Sequence, residues 1–370
     1  MQDATRVVRA GLTPAVQGQP FSAGPVFASG FHAAGDPSSS PYSYARFSNP
    51  TWTAFEKALA DLEGGDALVF SSGMAAANAV LSTVLTRGDV VVMPSDSYYT
   101  ARMLVDNRFG SAGVEVRRAP TAGNAQQELL ADARLLWLET PSNPNLDVCD
   151  VRRLVVAAHA AGALVAVDNT TATPLGQRPL DLGADFSVSS DTKALTGHSD
   201  LVLGHVAATD PEWIDRLHAW RTQTGAIAGP MEVWLALRSL STLDVRLERQ
   251  CENAQGIAEW LTDCGQVTNV RYPGLASDPA HALAKLQMMR YGGVVSFTLP
   301  SRQHAERFFA ASALVTEATS FGGVHTTAER RGRWGGDAIP EGFIRLSAGC
   351  EALDDLLADL EHAIARAVAG

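Results

Sequence analysis

Short, mostly apolar segments alternate with segments of helical period through the first two-thirds of the chain. The candidate strands are 67–70, 89–93, 114–118, 135–138, 164–167, 186–189 and 201–207, with helical runs such as 74–85 and 151–161 between them. Strands that are apolar on both faces and separated by helices predict an α/β fold, with a mainly parallel sheet covered on both sides. Ligands of such sheets bind beyond the carboxyl ends of the strands, so the residues just after each strand carry the chemistry. Ahead of this pattern, residues 1–45 are rich in Gly, Pro, Ser and Ala and have little periodicity, which predicts an extended arm that packs on something else. Asn49 or Thr51 can cap a helix that carries Trp52, Phe55, Leu59 and Leu62 on one face and stops at Gly64-Gly65. Beyond about Pro230 the pattern loosens into a long helical region, 232–261, and strands at 269–272, 294–299, 314–318 and 343–347. An amphipathic segment at 353–368 ends the chain. The expected division is an arm over 1–45, a sheet domain over 46–238 and a smaller α+β domain over 239–370.

Composition narrows the function. The chain has 370 residues, of which 46% are apolar and 19% charged, enough to bury a large core. Its net charge of −11 argues against a general binder of phosphate backbones, which carries a basic stripe. There is no long apolar run to cross a membrane and no apolar leader in the first residues, so the expected location is the cytoplasm. Cys149, Cys251, Cys264 and Cys350 are scattered without a CxxC pair and read as reduced packing residues. No His, Cys or Asp cluster has metal-ligand spacing, so no metal is expected.

The chemistry gathers at strand ends. Lys193 lies in Ser189-Ser190-Asp191-Thr192-Lys193, where a partly desolvated amine can form a Schiff base and the Ser190 and Thr192 hydroxyls can donate to a phosphate. Asp168 ends the strand 164–167 and suits the acidic partner of a pyridinium nitrogen. Ser71-Ser72-Gly73-Met74 joins a strand to a helix whose free N–H groups favour an anion. Asn143 sits in the stiff loop Glu139-Thr140-Pro141-Ser142-Asn143-Pro144, and Arg46 follows Tyr44 ahead of Asn49-Pro50-Thr51. In Phe343-Ile344-Arg345-Leu346-Ser347, alternation turns Arg345 away from the apolar face. The chain has neither GxGxxG nor a Walker lysine signature, which counts against a nicotinamide oxidoreductase on a similar sheet. His198 reads as a structural hydrogen-bonding group, and the run 329–333 as a solvated loop face that could also attract an anionic substrate.

In type and order these motifs resemble the pyridoxal-phosphate enzymes of Cys/Met metabolism, from about Thr5 to the C-terminus, and most of all the bacterial cystathionine γ-lyases. The resemblance implies an aspartate aminotransferase-like fold (type I of the pyridoxal-phosphate-dependent transferases) and the cofactor pyridoxal 5'-phosphate. It implies that Lys193 holds the cofactor covalently, Asp168 pairs with its ring nitrogen, and Gly73, Met74, Ser190 and Thr192 hold its phosphate. Tyr98 then stacks on the ring and shuttles a proton, Asn143 and Arg345 bind the substrate carboxylate, and Thr319 and Ser320 lie along the substrate. Tyr44 and Arg46 reach the phosphate of a neighbouring subunit, within a homotetramer built from two dimers. The implied reaction is γ-elimination of cystathionine in transsulfuration, with γ-replacement or methionine elimination as alternatives.

The sequence departs from the family pattern around the outer part of the pocket. Tyr98-Tyr99-Thr100 replaces Tyr-Gly-Gly-Thr, so the stacking tyrosine is Tyr98 or Tyr99. Ala194 follows the lysine in place of an aromatic residue, and Thr319 stands where many γ-lyases carry an acidic one. The segment between Gly323 and Phe343 is short, Arg-rich and lacks the common Thr-His element. His325 in it is open between substrate contact and loop surface.

Overall fold

A computed structural model describes residues 1–369 of the chain. Seven strands form the larger sheet: β1 Asp66–Phe70, β2 Val90–Pro94, β3 Glu115–Ala119, β4 Ala133–Glu139, β5 Leu164–Asp168, β6 Phe186–Ser189 and β7 Gly204–Ala208. Their order across the sheet is β1-β7-β6-β5-β4-β2-β3. Strands β2 to β6 pair in parallel, whereas β7 pairs antiparallel with both β1 and β6. The reversal has a simple cause. A parallel neighbour needs a crossover, usually helical, and β6 is joined to β7 by a loop that carries Lys193.

Alternation along the strands loads both faces of the sheet. On β4, Leu135 and Trp137 join the core under the helix Gly73–Val84, while Leu136 and Leu138 join the one under the helix Val151–Ala160. The helix Pro50–Glu63 forms as its sequence predicts. The Asn49 side chain accepts the Thr51 N–H, Trp52, Phe55, Leu59 and Leu62 are buried, and Gly64 ends the helix at φ 82°. Each such buried side chain contributes about 1.5–3 kcal/mol.

A second sheet of five strands comprises β8 Thr268–Arg271, β9 Val294–Thr298, β10 Thr316–Glu317, β11 Thr327–Arg330 and β12 Phe343–Ser347, in the order β10-β11-β12-β9-β8. Ile344 and Leu346 of β12 join the core formed with the helices Leu243–Asp263, Arg302–Ala311 and Leu353–Ala369, which leaves Arg345 on the opposite face.

Three expectations need correction. The helical region 232–261 is two helices, Pro230–Leu240 and Leu243–Asp263, broken at Ser241-Thr242. The arm is not wholly extended, since Asp3–Arg9 is helical and buries Val7. The run 329–333 is not a solvated face, because Glu329 and Arg330 belong to β11 and Glu329, Arg330 and Arg331 are all buried. Among the described residues no helix is long and apolar enough to cross a membrane, and the four cysteines are unpaired. Burial pushes the Cys149 thiol up to about 12.

Candidate active site

The carboxyl ends of β4, β5 and β6, the start of the helix Gly73–Val84 and the loops around β11 and β12 enclose a cavity of about 670 Å³. Lys193, Asp168, Gly73, Met74, Ser190 and Thr192 line it. So do Tyr98, Tyr99, Asn143, Thr319, Ser320 and Arg345. Tyr44 and Arg46 are not brought to it. Tyr44 is half exposed, and the Arg46 guanidinium packs on the Tyr44 and Phe47 rings and donates to the Thr222 carbonyl at 2.7 Å. His325 is exposed and outside the cavity wall, so it is a loop-surface residue of this chain. His198 is bonded at 2.6 Å to the Thr196 carbonyl, a structural contact as expected.

Lys193 is mostly enclosed, and its Nζ stands 5.5 Å from the centre of the Phe321 ring. Burial, helped by the Arg345 cation and opposed by Asp168, lowers its ammonium to about 8, so a substantial share of the amine is neutral near physiological pH. Asp168 Oδ1 accepts the Thr170 N–H at 3.0 Å. Burial raises the Asp168 carboxyl, with Thr170 and Lys193 holding it down. Glu139 stands in register with Asp168 on the adjacent strand. Its two oxygens accept the backbone N–H groups of Tyr98 at 2.6 Å and Asn143 at 2.8 Å, so one carboxylate fixes both loops of the cavity. Burial and the Asp168 charge raise Glu139 well above the usual carboxylate range.

The residues present fit pyridoxal phosphate. The helix Gly73–Val84 is capped at Ser72, whose side chain accepts the Ala75 N–H, and the Gly73 and Met74 amides at its first turn have no protein acceptor among the described residues. A Cβ on Gly73 would lie 2.5 Å from that of Ser190, so glycine lets the helix start press against the lysine turn. The Ser190 hydroxyl has no protein partner among the described residues, whereas Thr192 shares its hydroxyl with the Leu203 backbone at 3.2 Å. Free amides, a free hydroxyl and a positive helix end suit a phosphate. Asp168, at the end of the adjacent strand, suits a ring nitrogen.

Arg345 is buried and already held. It donates to Asn143 Oδ1 at 2.7 Å, to the Ser320 carbonyl at 2.8 Å and to Glu329 Oε2 at 3.1 Å. Burial and the neighbouring Arg331 lower it to about 10, against the pull of Glu329. Glu329 itself has no exposed surface and also receives Arg331, Arg333 and the Trp334 indole. Sequence reasoning missed this carboxylate, whose only signal is a Glu at an inward position of a short alternating segment.

It also missed the support beneath the lysine turn. Arg246 of the helix Leu243–Asp263 donates to the Ala194 and Leu195 carbonyls at 2.8 and 3.2 Å. On the other side, His205 of β7 bridges Asp191 at 2.6 Å and Glu63 at 3.0 Å, all three fully buried. Against the cost of burial, Asp191 and Glu63 push the His205 imidazolium up to about 10. His205→Ala strands two buried carboxylates and is expected to cost about 3–5 kcal/mol in denaturant unfolding. Because the folded value exceeds the ordinary 6.5, the bridge contributes fully below pH 6.5 and is lost as pH rises through about 10. The variant should therefore lack that part of the wild-type loss of stability in base; an unchanged alkaline limb would show the bridge to be inert.

Comparison with known proteins agrees with this geometry. A family model described as Cys/Met metabolism PLP-dependent enzyme matches residues 4–365. A Streptomyces coelicolor protein provisionally named cystathionine gamma-lyase is 59% identical over 367 residues, 98% of this chain and 93% of that one. The L-methionine gamma-lyase of Pseudomonas putida is 38% identical, with 87% of this chain and 84% of that one covered. The structure of cystathionine gamma synthase from Xanthomonas oryzae pv. oryzae in complex with cystathionine superposes with a TM-score of 0.95 at 36% identity, covering 100% of this chain and 99% of that one.

Proposed function

The chain belongs to the Cys/Met-metabolism family of pyridoxal-phosphate-dependent enzymes, and from that premise we propose that it eliminates the γ-substituent of L-cystathionine. With one water the products are cysteine, 2-oxobutanoate and ammonia. The observation that carries this reading is 59% identity over nearly the whole chain to the Streptomyces coelicolor relative, joined to a cavity that presents an amine and a guanidinium together.

Pyridoxal phosphate supplies the electron sink for carbanions formed next to the substrate nitrogen. The chain supplies the rest. Lys193 holds the cofactor and, as an amine near neutrality, takes the proton from Cα and returns it further along the substrate. Asp168 stays anionic beside the ring nitrogen, and Gly73, Met74, Ser190 and Thr192 hold the phosphate. Arg345 and Asn143 orient the α-carboxylate so that Cα–H faces Lys193. Tyr98 is the stacking tyrosine in this reading, because Tyr99 packs towards the Arg-rich loop at Gly336. Thr319 and Ser320 border the departing half of the substrate.

The reading extends to assembly. Phe21 and Phe27 of the arm are 87% and 71% exposed, and Tyr44 and Arg46 stand away from the cavity of their own chain. They complete a neighbour's site in a homotetramer of two dimers in the cytoplasm, with the arm ending near 45 and the sheet domain near 238. Mixing Arg46→Ala with Lys193→Ala subunits should restore part of the activity, since one site of each mixed dimer keeps both residues. Subunits that exchange without regaining activity would exclude a shared site.

The rival reactions are γ-replacement on an O-acylhomoserine and elimination from methionine, and also β-elimination of cystathionine, each carried by the names of some relatives at lower identity; β-elimination is told apart by homocysteine and pyruvate appearing in place of cysteine and 2-oxobutanoate. The test is kcat/KM for cystathionine, for methionine and for an O-acylhomoserine with cysteine. Cystathionine should rank first. Another order would overturn the γ-lyase assignment while leaving the cofactor untouched.

A further inference from the structure

The Arg-rich segment after β11 turns into the cavity wall, and its charge arrangement is uneven. Arg331 is 7% exposed and lines the cavity together with Arg345. Both guanidinium groups lean on one oxygen, since Arg331 Nη1 and Arg345 Nη2 each donate to Glu329 Oε2 at 3.1 Å. Arg331 Nη2 reaches Asp337 Oδ2 at 2.9 Å, and the other oxygen of Asp337 takes Arg102 at 2.6 Å. Arg333 donates to Glu329 and Glu317 at 3.2 and 2.9 Å. The group therefore holds the cations Arg102, Arg331, Arg333 and Arg345 against the carboxylates Glu329, Asp337 and Glu317, an excess of one positive charge. Two guanidinium groups crowded on one carboxylate oxygen favour incoming anions at this wall.

We infer that Arg331 is a second carboxylate-binding group of the cavity beside Arg345, and that it makes the enzyme select amino acids that carry a second carboxylate. This rests on the γ-elimination reading, and it deepens it. Cystathionine has two carboxylates and methionine has one, so Arg331 separates the two substrates that the cofactor chemistry alone would treat alike. Asp337 and Glu329 hold the guanidinium in place at the cavity wall.

The experiment compares holoenzyme, Arg331→Gln and Arg331→Lys on cystathionine and methionine. Arg331→Gln should lower kcat/KM for cystathionine at least about 10-fold more than it lowers kcat/KM for methionine, mainly through KM. Arg331→Lys keeps the charge without the fork and should recover part of the loss. A parallel fall for both substrates, as a structural or α-carboxylate role would give, overturns the inference; so does an unchanged cystathionine KM. Calorimetric titration with glutarate and butyrate provides an arm that needs no turnover. Glutarate binding should weaken in Arg331→Gln about 10-fold or more beyond any change in butyrate binding. If the wild type does not cleave cystathionine, the γ-elimination reading fails, and the glutarate titration still decides the role of Arg331. Equal glutarate affinity in both proteins would remove it.

Discussion

Lys193→Ala protein is expected to lose covalently fixed cofactor and on the order of 10³- to 10⁴-fold in turnover, because in the proposed mechanism one amine serves both as attachment point and as proton carrier. The setting of Lys193 makes both tasks feasible. Burial and the Arg345 cation bring the ammonium down to about 8, so the neutral amine exists near physiological pH, yet Asp168 keeps it from falling further. Uptake of pyridoxal phosphate by the apoenzyme should accelerate as pH rises through about 8, as the neutral fraction grows. Borohydride reduction followed by peptide mass analysis should place the added cofactor mass on Lys193 alone. Cofactor still fixable in the alanine variant would mean that another amine does the work. The Ala194 and Leu195 carbonyls and the Asp191 side chain anchor the turn through Arg246 and His205, so removing the lysine side chain should leave its backbone in place.

What could be read in the sequence follows from which signals are local. Strands β4 and β5 are buried on both faces, and their apolar runs mark them whatever packs on them. The cap at Asn49 and the stop at Gly64 are likewise contained within their own segment. By contrast, the break at Ser241-Thr242 interrupts a pattern that propensity would continue, and the helix Asp3–Arg9 buries too little to show a period. Strand β11 is short and hard to see because two of its three buried positions, Glu329 and Arg330, are charged. Glu329 is accommodated by Arg331, Arg333 and Arg345, and no pattern of apolar residues reports a buried charge that is paired. The site divides in the same way. Lys193, Asp168, Asn143 and Arg345 were suggested by residue type at strand ends or within an alternating strand. Glu63 and His205 lie 142 positions apart in sequence and meet only because β7 runs back beside β1 and β6.

Asp168→Asn is the sharper electronic test, because asparagine preserves the shape and removes only the charge. Its side-chain oxygen can still accept the Thr170 N–H that Asp168 Oδ1 accepts at 3.0 Å, so the end of β5 should hold and the apoenzyme should melt close to wild type. The negative charge proposed to stabilise a protonated ring nitrogen would be gone. Turnover should then fall by roughly 10²- to 10³-fold, the range seen when one preorganised electrostatic partner is removed, and cofactor affinity should fall with it. Glu139 provides an internal control. Its carboxyl is raised by burial first and by the Asp168 charge second, so removing that charge should lower it towards the usual carboxylate range without changing the protein fold. Titration of Glu139 by NMR in the apoenzyme would register that fall whether or not catalysis depends on it. Near-normal kinetics together with the Glu139 shift would show that the charge had been removed and was not needed, and the pairing of Asp168 with the ring nitrogen would have to be abandoned.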